Sequence, residues 1–307
     1  MDASIFQSKE WEEFKLATGY EKSYRVQDIL ILQKRLPAGR TMLYAPMVDR
    51  DKVARAKSQE FISELKNIAK ENKTIFFRLE LNIPSTYDPK LSTIGFVKSF
   101  EEMQPENNWI LDLTQSEEEI LSGMKQKGRY NIKIAQSSNL TFSGSSERDS
   151  KELNAFYDQY EKTGKRHKIA FRGKKYFTAL LEILGPKGYA KAIAVWHGKT
   201  PLASAIVISF GKSALYLYGG SSDENRNLMA PYFLHWEIAK EAKAAGLEEY
   251  NFLGIAPDDD PKHSWAGVTR FKKQFGGEQA DIQGSYDLPI KPLEYQVFKI
   301  AEKIRRR

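Results

Sequence analysis

The stretch Ala203-Ser204-Ala205-Ile206-Val207-Ile208-Ser209-Phe210-Gly211-Lys212-Ser213-Ala214-Leu215-Tyr216-Leu217-Tyr218 decides the fold. Two runs rich in β-branched, aliphatic and aromatic residues flank Gly211-Lys212, so the segment reads as an antiparallel hairpin. A third strand, Tyr189 to Trp196, precedes it through the turn His197-Gly198-Lys199-Thr200-Pro201 and completes a meander. Downstream, a polar loop from Ser221 to Ala230 leads into a helix that ends before Gly246, and Glu249-Tyr250-Asn251-Phe252-Leu253-Gly254 reads as the next strand. Strands, loop, helix and strand in this order give an α/β (α+β) unit.

Upstream the elements follow a looser version of the same order. Lys9 to Lys15 is helical, and Ile29-Leu30-Ile31-Leu32 reads as a buried strand closed by a basic turn, Gln33-Lys34-Arg35-Leu36-Pro37. Residues 41–48 and 74–81 read as strands around one long helix over 51–71, and Trp109 to Leu113 as another strand. Ser116 with Glu119 forms a capping box, from which a single helix is expected to run to about Gln136. Ser143-Gly144-Ser145-Ser146 is small and flexible, and Asp149 with Glu152 restarts a helix, so a domain boundary is expected near Gly144. Pro289 and Pro292 precede a last helix, from about Leu293 to Arg307, expected to fold back on the first domain.

A chain of 307 residues exceeds what one core usually serves, which favours two domains. The expected division is 1–144, with the helix of about 288–307 returning to it, and 145–287. Both halves read as acetyltransferase-like (GNAT-type) domains in tandem. Acetyl-CoA enzymes of that fold bind pyrophosphate on a glycine-rich loop before a helix. The corresponding loop here, Ser222-Asp223-Glu224-Asn225-Arg226-Asn227-Leu228-Met229-Ala230, has two acids and no glycine, so CoA is not the expected donor.

Composition narrows the chemistry. The absence of cysteine excludes disulfides, a thiolate nucleophile and a sulfur-rich metal site, and His167, His197, His235 and His263 show no ligand spacing, so no metal is expected. No stretch approaches the ~20 apolar residues of a membrane helix, and the first residues carry no basic-then-apolar leader, so the expected location is cytoplasmic. The net charge of +7 favours an anionic partner, though a mildly basic surface is common without one. Lys125, Arg129 and Lys133 recur at i, i+4 and i+8 of the expected helix, either a phosphate-binding stripe or a solvated flank.

Gly267-Val268-Thr269-Arg270-Phe271-Lys272-Lys273-Gln274-Phe275-Gly276-Gly277 combines a compact basic cluster, two aromatics and a double glycine. This segment resembles the Phe-Lys and Phe-Gly-Gly signature of the FemABX family, which transfers amino acids from tRNA to the stem peptide of peptidoglycan precursors. Gln7-Ser8-Lys9-Glu10-Trp11, Gln33 to Pro37, Lys127 to Ala135, Tyr218-Gly219-Gly220-Ser221, Ala230 to Trp236 and Tyr250 to Ile255 extend the resemblance over most of the chain.

The resemblance implies an aminoacyltransferase with aminoacyl-tRNA as donor and a nucleotide- or lipid-linked muramyl peptide as acceptor, working as a monomer without a cofactor. Lys34 and the Arg172/Tyr176 pair are similar to the family's grips on the acceptor's diphosphate, which suits a mobile ammonium and a planar guanidinium. Lys272 with Phe271 resembles the catalytic motif. A Lys272 that stays charged would stabilise the oxyanion, whereas a base would need its pKa lowered toward neutrality. Tyr218 resembles a substrate-channel tyrosine. Tyr216, two residues earlier, is expected on the same strand face, so the two are not separated.

Lys125, Arg129, Lys133, Arg270 and Lys273 are candidate tRNA contacts. Lys299, Lys303 and Arg305-Arg306-Arg307 could touch RNA or the inner membrane face, or be a solvated helix end. The chain departs from the family pattern with Asn251 where Asp is common and Asn107-Asn108 where Thr is usual, and it lacks the long helical arm of some relatives. Two other readings stay open: a different N-acyltransferase on the same fold, and a non-catalytic RNA-binding protein.

Overall fold

The computed structural model describes residues 4–167 and 171–305. Arg306 and Arg307 lie outside them, as does the side chain of His167. The chain divides into two compact units, Met1–Glu106 with Asp281–Arg307, and Asn107–Ala280.

Unit 1 begins with α1 (Lys9–Ala17), capped by Ser8, whose hydroxyl accepts from Trp11 N at 3.0 Å. Strands β1 (Lys22–Val26), β2 (Ile29–Leu36) and β3 (Arg40–Asp49) follow, so the expected turn at Gln33–Leu36 is strand, paired with β3. Residues 51–71 form two helices, α2 (Arg50–Ala56) and α3 (Gln59–Glu71), rather than one. Ser58 makes the break: its backbone is extended, and its hydroxyl accepts from Phe61 N to start α3 afresh. Then come β4 (Thr74–Pro84), which pairs with β3 in parallel, and β5 (Val97–Lys98).

Unit 2 opens with β6 (Asn107–Asp112), α4 (Glu117–Gly123), α5 (Gln126–Gln136) and β7 (Leu140–Ser145). Next are α6 (Lys151–His167), α7 (Lys174–Leu184), the meander β8 (Ala190–His197), β9 (Thr200–Phe210) and β10 (Ser213–Ser221), then α8 (Ala230–Ala244), β11 (Glu249–Gly254) and α9 (Ala266–Lys272). The sheet order is β6-β11-β10-β9-β8-β7, with β10 and β11 parallel. The chain returns to unit 1 through β12 (Glu278–Pro289), which pairs with β4 and β5, and α10 (Pro292–Arg305).

The division near 144 is therefore displaced to 106/107 and 280/281. Leu111, Ile120, Met124 and Ile132 share one core with Ala203, Trp236 and Phe252, which draws β6, α4 and α5 into the second unit. The small-residue stretch expected as a linker is the edge strand β7, paired with β8 from Leu140↔His197 to Ser145↔Ala192. Its polar character is satisfied locally, since Ser143 Oγ donates to Glu152 Oε1 (2.7 Å) and accepts from Trp196 Nε1 (2.9 Å).

In unit 1 the fully buried Arg78 forks onto Asp287 at 2.7 and 2.8 Å, and Tyr295 donates to the same carboxylate at 2.7 Å. This ties α10 to β4 and β12. Such a pair is costly to bury alone and is retained here with its lone pairs satisfied. No helix of the described residues is long and apolar enough to cross a membrane.

Candidate functional site

Two glycines and a bulge shape the site. In β10, Tyr216 pairs with Val207 and Tyr218 with the adjacent Ile206, so Leu217 is an extra residue in the ladder. A bulge reverses the alternation of side chains. Contrary to the expected shared face, Tyr216 turns toward α8, with its ring 4.6 Å from that of His235, while Tyr218 turns toward α6 and α7. Beyond the bulge, Gly219 lies against the Tyr216 hydroxyl, where a Cβ would sit 1.6 Å from Oη, and Gly220 lies against the α6 backbone, where a Cβ would sit 2.7 Å from Gln159 C.

A cavity of about 420 Å³ at the end of β10 is lined from both α6 and α8, by Thr163, Tyr216, Gly219, Gly220, Met229, Tyr232, His235 and Phe271, among others. Thr163 Oγ1 is buried there without a partner among the described residues. Phe271, on α9, packs edge-on to Tyr232 (5.1 Å) and near His235 (5.3 Å), so it is both core and cavity wall. Lys272 ends α9 and is only 6% exposed; its Nζ donates to Gly254 O at 2.6 Å, at the end of β11.

Burial pulls the Lys272 ammonium down to about 7. Burial thus brings Lys272 into the range that a base would need. His235 shares a 2.7 Å hydrogen bond through Nδ1 with Tyr250 Oη. Burial first, and the Lys272 charge second, pull His235 down to about 3, so it is neutral at physiological pH. Burial pushes the Tyr216 hydroxyl up to about 12, and Tyr250 well above its ordinary value. The part of the wall formed by Tyr216, His235 and Phe271 is therefore uncharged, with Lys272 behind it, while Glu224 and Arg226 also line the cavity.

On the other sheet face the Arg172 guanidinium stacks on Tyr176 at 4.6 Å, and Tyr176 Oη lies 3.5 Å from Tyr218 Oη. The structure brings these three together and keeps them apart from Tyr216. Lys34 is exposed on β2 and belongs to the other unit.

The basic stripe is broken. Met124 and Lys125 are extended, so Lys125 is the N-cap of α5 rather than a helical position, and its amide donates to Gln274 O at 3.1 Å. Close packing explains the break, because a Cβ on Gly128 would meet Gln274 O at 2.4 Å. Arg129 turns back to donate to Met124 O and to Ser122 O (3.3 Å), capping the end of α4. Lys125, Lys133 and Arg270 are exposed, whereas Lys273 pairs with Asp259 at 2.7 Å and lies 5.5 Å from the Trp109 ring centroid.

His235, Tyr250 and Thr163 were not picked out as site residues by sequence. The signal for His235 was a lone imidazole in the apolar run Ala230 to Trp236. Thr163 gave none.

The sequence model of the FemAB family matches residues 91–192 and 187–303. Aminoacyltransferase FemB of Staphylococcus epidermidis is 30% identical over 106 residues, which is 34% of this chain and 25% of that protein. The match thus spans about a quarter of that relative's length. The crystal structure of FemX superposes with a TM-score of 0.84 at 19% identity, over 96% of this chain and 94% of that one. A tandem GNAT protein from the clavulanic acid biosynthesis pathway superposes with a TM-score of 0.51 at 10% identity, over 86% and 79%. The fold is mixed α/β of this tandem, acetyltransferase-like kind.

Proposed function

The chain belongs to the FemAB family, and from that membership and the buried Lys272 beside the cavity we propose that it is an aminoacyltransferase, moving an amino acid from aminoacyl-tRNA to a stem-peptide amine of a peptidoglycan precursor. The Lys272–Phe271 arrangement carries the reading. One residue walls a cavity with room for an acyl group, and the next holds a proton that can move near pH 7.

In the reaction the acceptor amine attacks the ester carbonyl, a C–N bond forms, the C–O ester bond breaks, and the ribose hydroxyl of tRNA leaves with a proton. The attacking nitrogen gives up a proton in exchange. A group poised near the operating pH serves such a transfer best, so Lys272 is assigned the proton and charge balance of the tetrahedral intermediate. Because the ester is already activated, placement of the two substrates does most of the rest. Arg172, its plane fixed by Tyr176, is assigned to acceptor phosphate. Asp223 and Glu224 in the loop before α8, together with left-handed backbone at the non-glycine Asn225 and Met229, support a donor other than CoA.

The test is transfer of radiolabel from a mixed pool of charged tRNAs to nucleotide-linked and lipid-linked muramyl pentapeptides, with wild type and Lys272→Ala. Label that is lost in the variant supports the proposal and identifies both substrates. No label in either acceptor, with label transferred from acyl-CoA to a small amine, would replace it by another N-acyltransferase.

A further inference from the structure

Helix α10 has two apolar faces, and only one is covered. Tyr295 and Phe298 point into unit 1, with their rings 5.2 and 5.3 Å from that of Phe76. Leu293, Val297, Ile300 and Ile304 lie on the opposite side and are 85%, 68%, 60% and 69% exposed. Their spacing of four, three and four residues places them in one stripe along the helix. Isolated exposed aliphatics are ordinary, but four in a row are not.

The charges around the stripe select its occupant. Lys303 and Arg305 fall about a quarter turn to either side of it. Lys299 lies on the Lys303 side, with its Nζ 5.4 Å from the Tyr295 ring centroid. The acids of the helix are held internally: Glu294 pairs with Arg40 at 2.5 Å and Lys291 at 3.5 Å, and Glu302 with Arg305 at 2.5 Å. An aliphatic stripe edged by long cationic side chains matches an anionic phospholipid surface, where the stripe enters the acyl boundary and the lysines reach headgroup phosphates. A second copy of the chain is a poorer match, because a stripe one side chain wide falls far short of the ~800 Å² per partner of a stable interface.

We propose that the outward face of α10 is a membrane-surface contact, which holds the protein reversibly on bilayers containing anionic phospholipid. The contact needs no acyl donor, so its failure and that of acyl transfer are read separately.

The experiment is co-sedimentation of the full chain with vesicles of phosphatidylcholine alone and of an equal mixture with phosphatidylglycerol. Wild type is expected to partition onto the mixed vesicles and to be released by salt. V297S/I300S, whose changes lie on the exposed face, should bind at least about ten-fold more weakly. K299Q/K303Q should lose only the preference for the anionic lipid. Absence of wild-type partition, or equal partition of V297S/I300S, would overturn the contact. So would a wild-type dimer in light scattering that V297S/I300S converts to monomer, since a second copy would then cover the stripe.

Discussion

Between its folded value of about 7 and its ordinary value of 10.5, Lys272 binds fewer protons folded than unfolded. Stability therefore rises with pH across that window, by at most ~1.4 kcal/mol per pH unit from this group, and the cost of burying the charge is full below pH 7. Lys272→Met should raise the melting temperature at neutral pH, remove that rise, and lower acyl transfer by about a hundred-fold or more. Thermal melts across the window with parallel activity assays check this; a variant no more stable than wild type would show that the ammonium is not strained. His235 follows the same sign at lower pH. Its folded value of about 3 against an ordinary 6.5 means that stability falls as pH drops through that interval, because only the unfolded chain takes the proton. His235→Phe should lower the acid-denaturation midpoint even though Tyr250 loses its partner, which circular dichroism across the acid limb would measure. The position of Lys272 was legible from its neighbours Phe271 and Gly276-Gly277. Its burial was not, because a lysine in a short basic cluster reads as surface until the carbonyl of Gly254 is brought to it by the fold.

The bulge in β10 sets what each glycine tolerates. At Gly220 a Cβ would meet the α6 backbone at 2.7 Å, which cannot rotate away, so Gly220→Ala should cost ~1–3 kcal/mol in chemical denaturation. At Gly219 the obstacle is the Tyr216 ring, which is held by His235, so Gly219→Ala should displace that ring and impair transfer. Tyr216→Leu should then offset the stability cost of Gly219→Ala but not that of Gly220→Ala, a difference that double-mutant cycles resolve. Equal coupling at both glycines would mean that Tyr216 is not the obstacle. The meander, α8 and β11 were readable because apolar periodicity and turn glycines agree there. The bulge was not, because Leu215, Tyr216, Leu217 and Tyr218 offer no cue to which residue is extra. Strand β7 was missed for the opposite reason: its edge position and small polar residues leave no alternation to detect.

At the scale of the whole chain, the boundary near 144 failed because flexibility in a sequence marks an edge strand as readily as a linker, while the shared core of Leu111, Ile120 and Ile132 with the later strands is formed by residues far apart in sequence. Net charge has the same ambiguity. A charge of +7 attracts RNA from any direction, but binding depends on which cations meet phosphate. Structure sorts them: Lys125, Lys133 and Arg270 are exposed, Lys273 is engaged with Asp259, and Arg129 is spent on the end of α4. If the exposed three contact tRNA, replacing each by alanine should lower the slope of log K against log salt by about 1. Arg129→Ala should instead leave the slope unchanged and cost ~1–2 kcal/mol of stability through the lost charged hydrogen bonds. Filter binding of tRNA across a salt series, paired with denaturation of each variant, separates the two groups. A slope that falls with Arg129 rather than with the exposed three would move the RNA path to the α4–α5 break, and would make the capping contact a resting position that tRNA displaces.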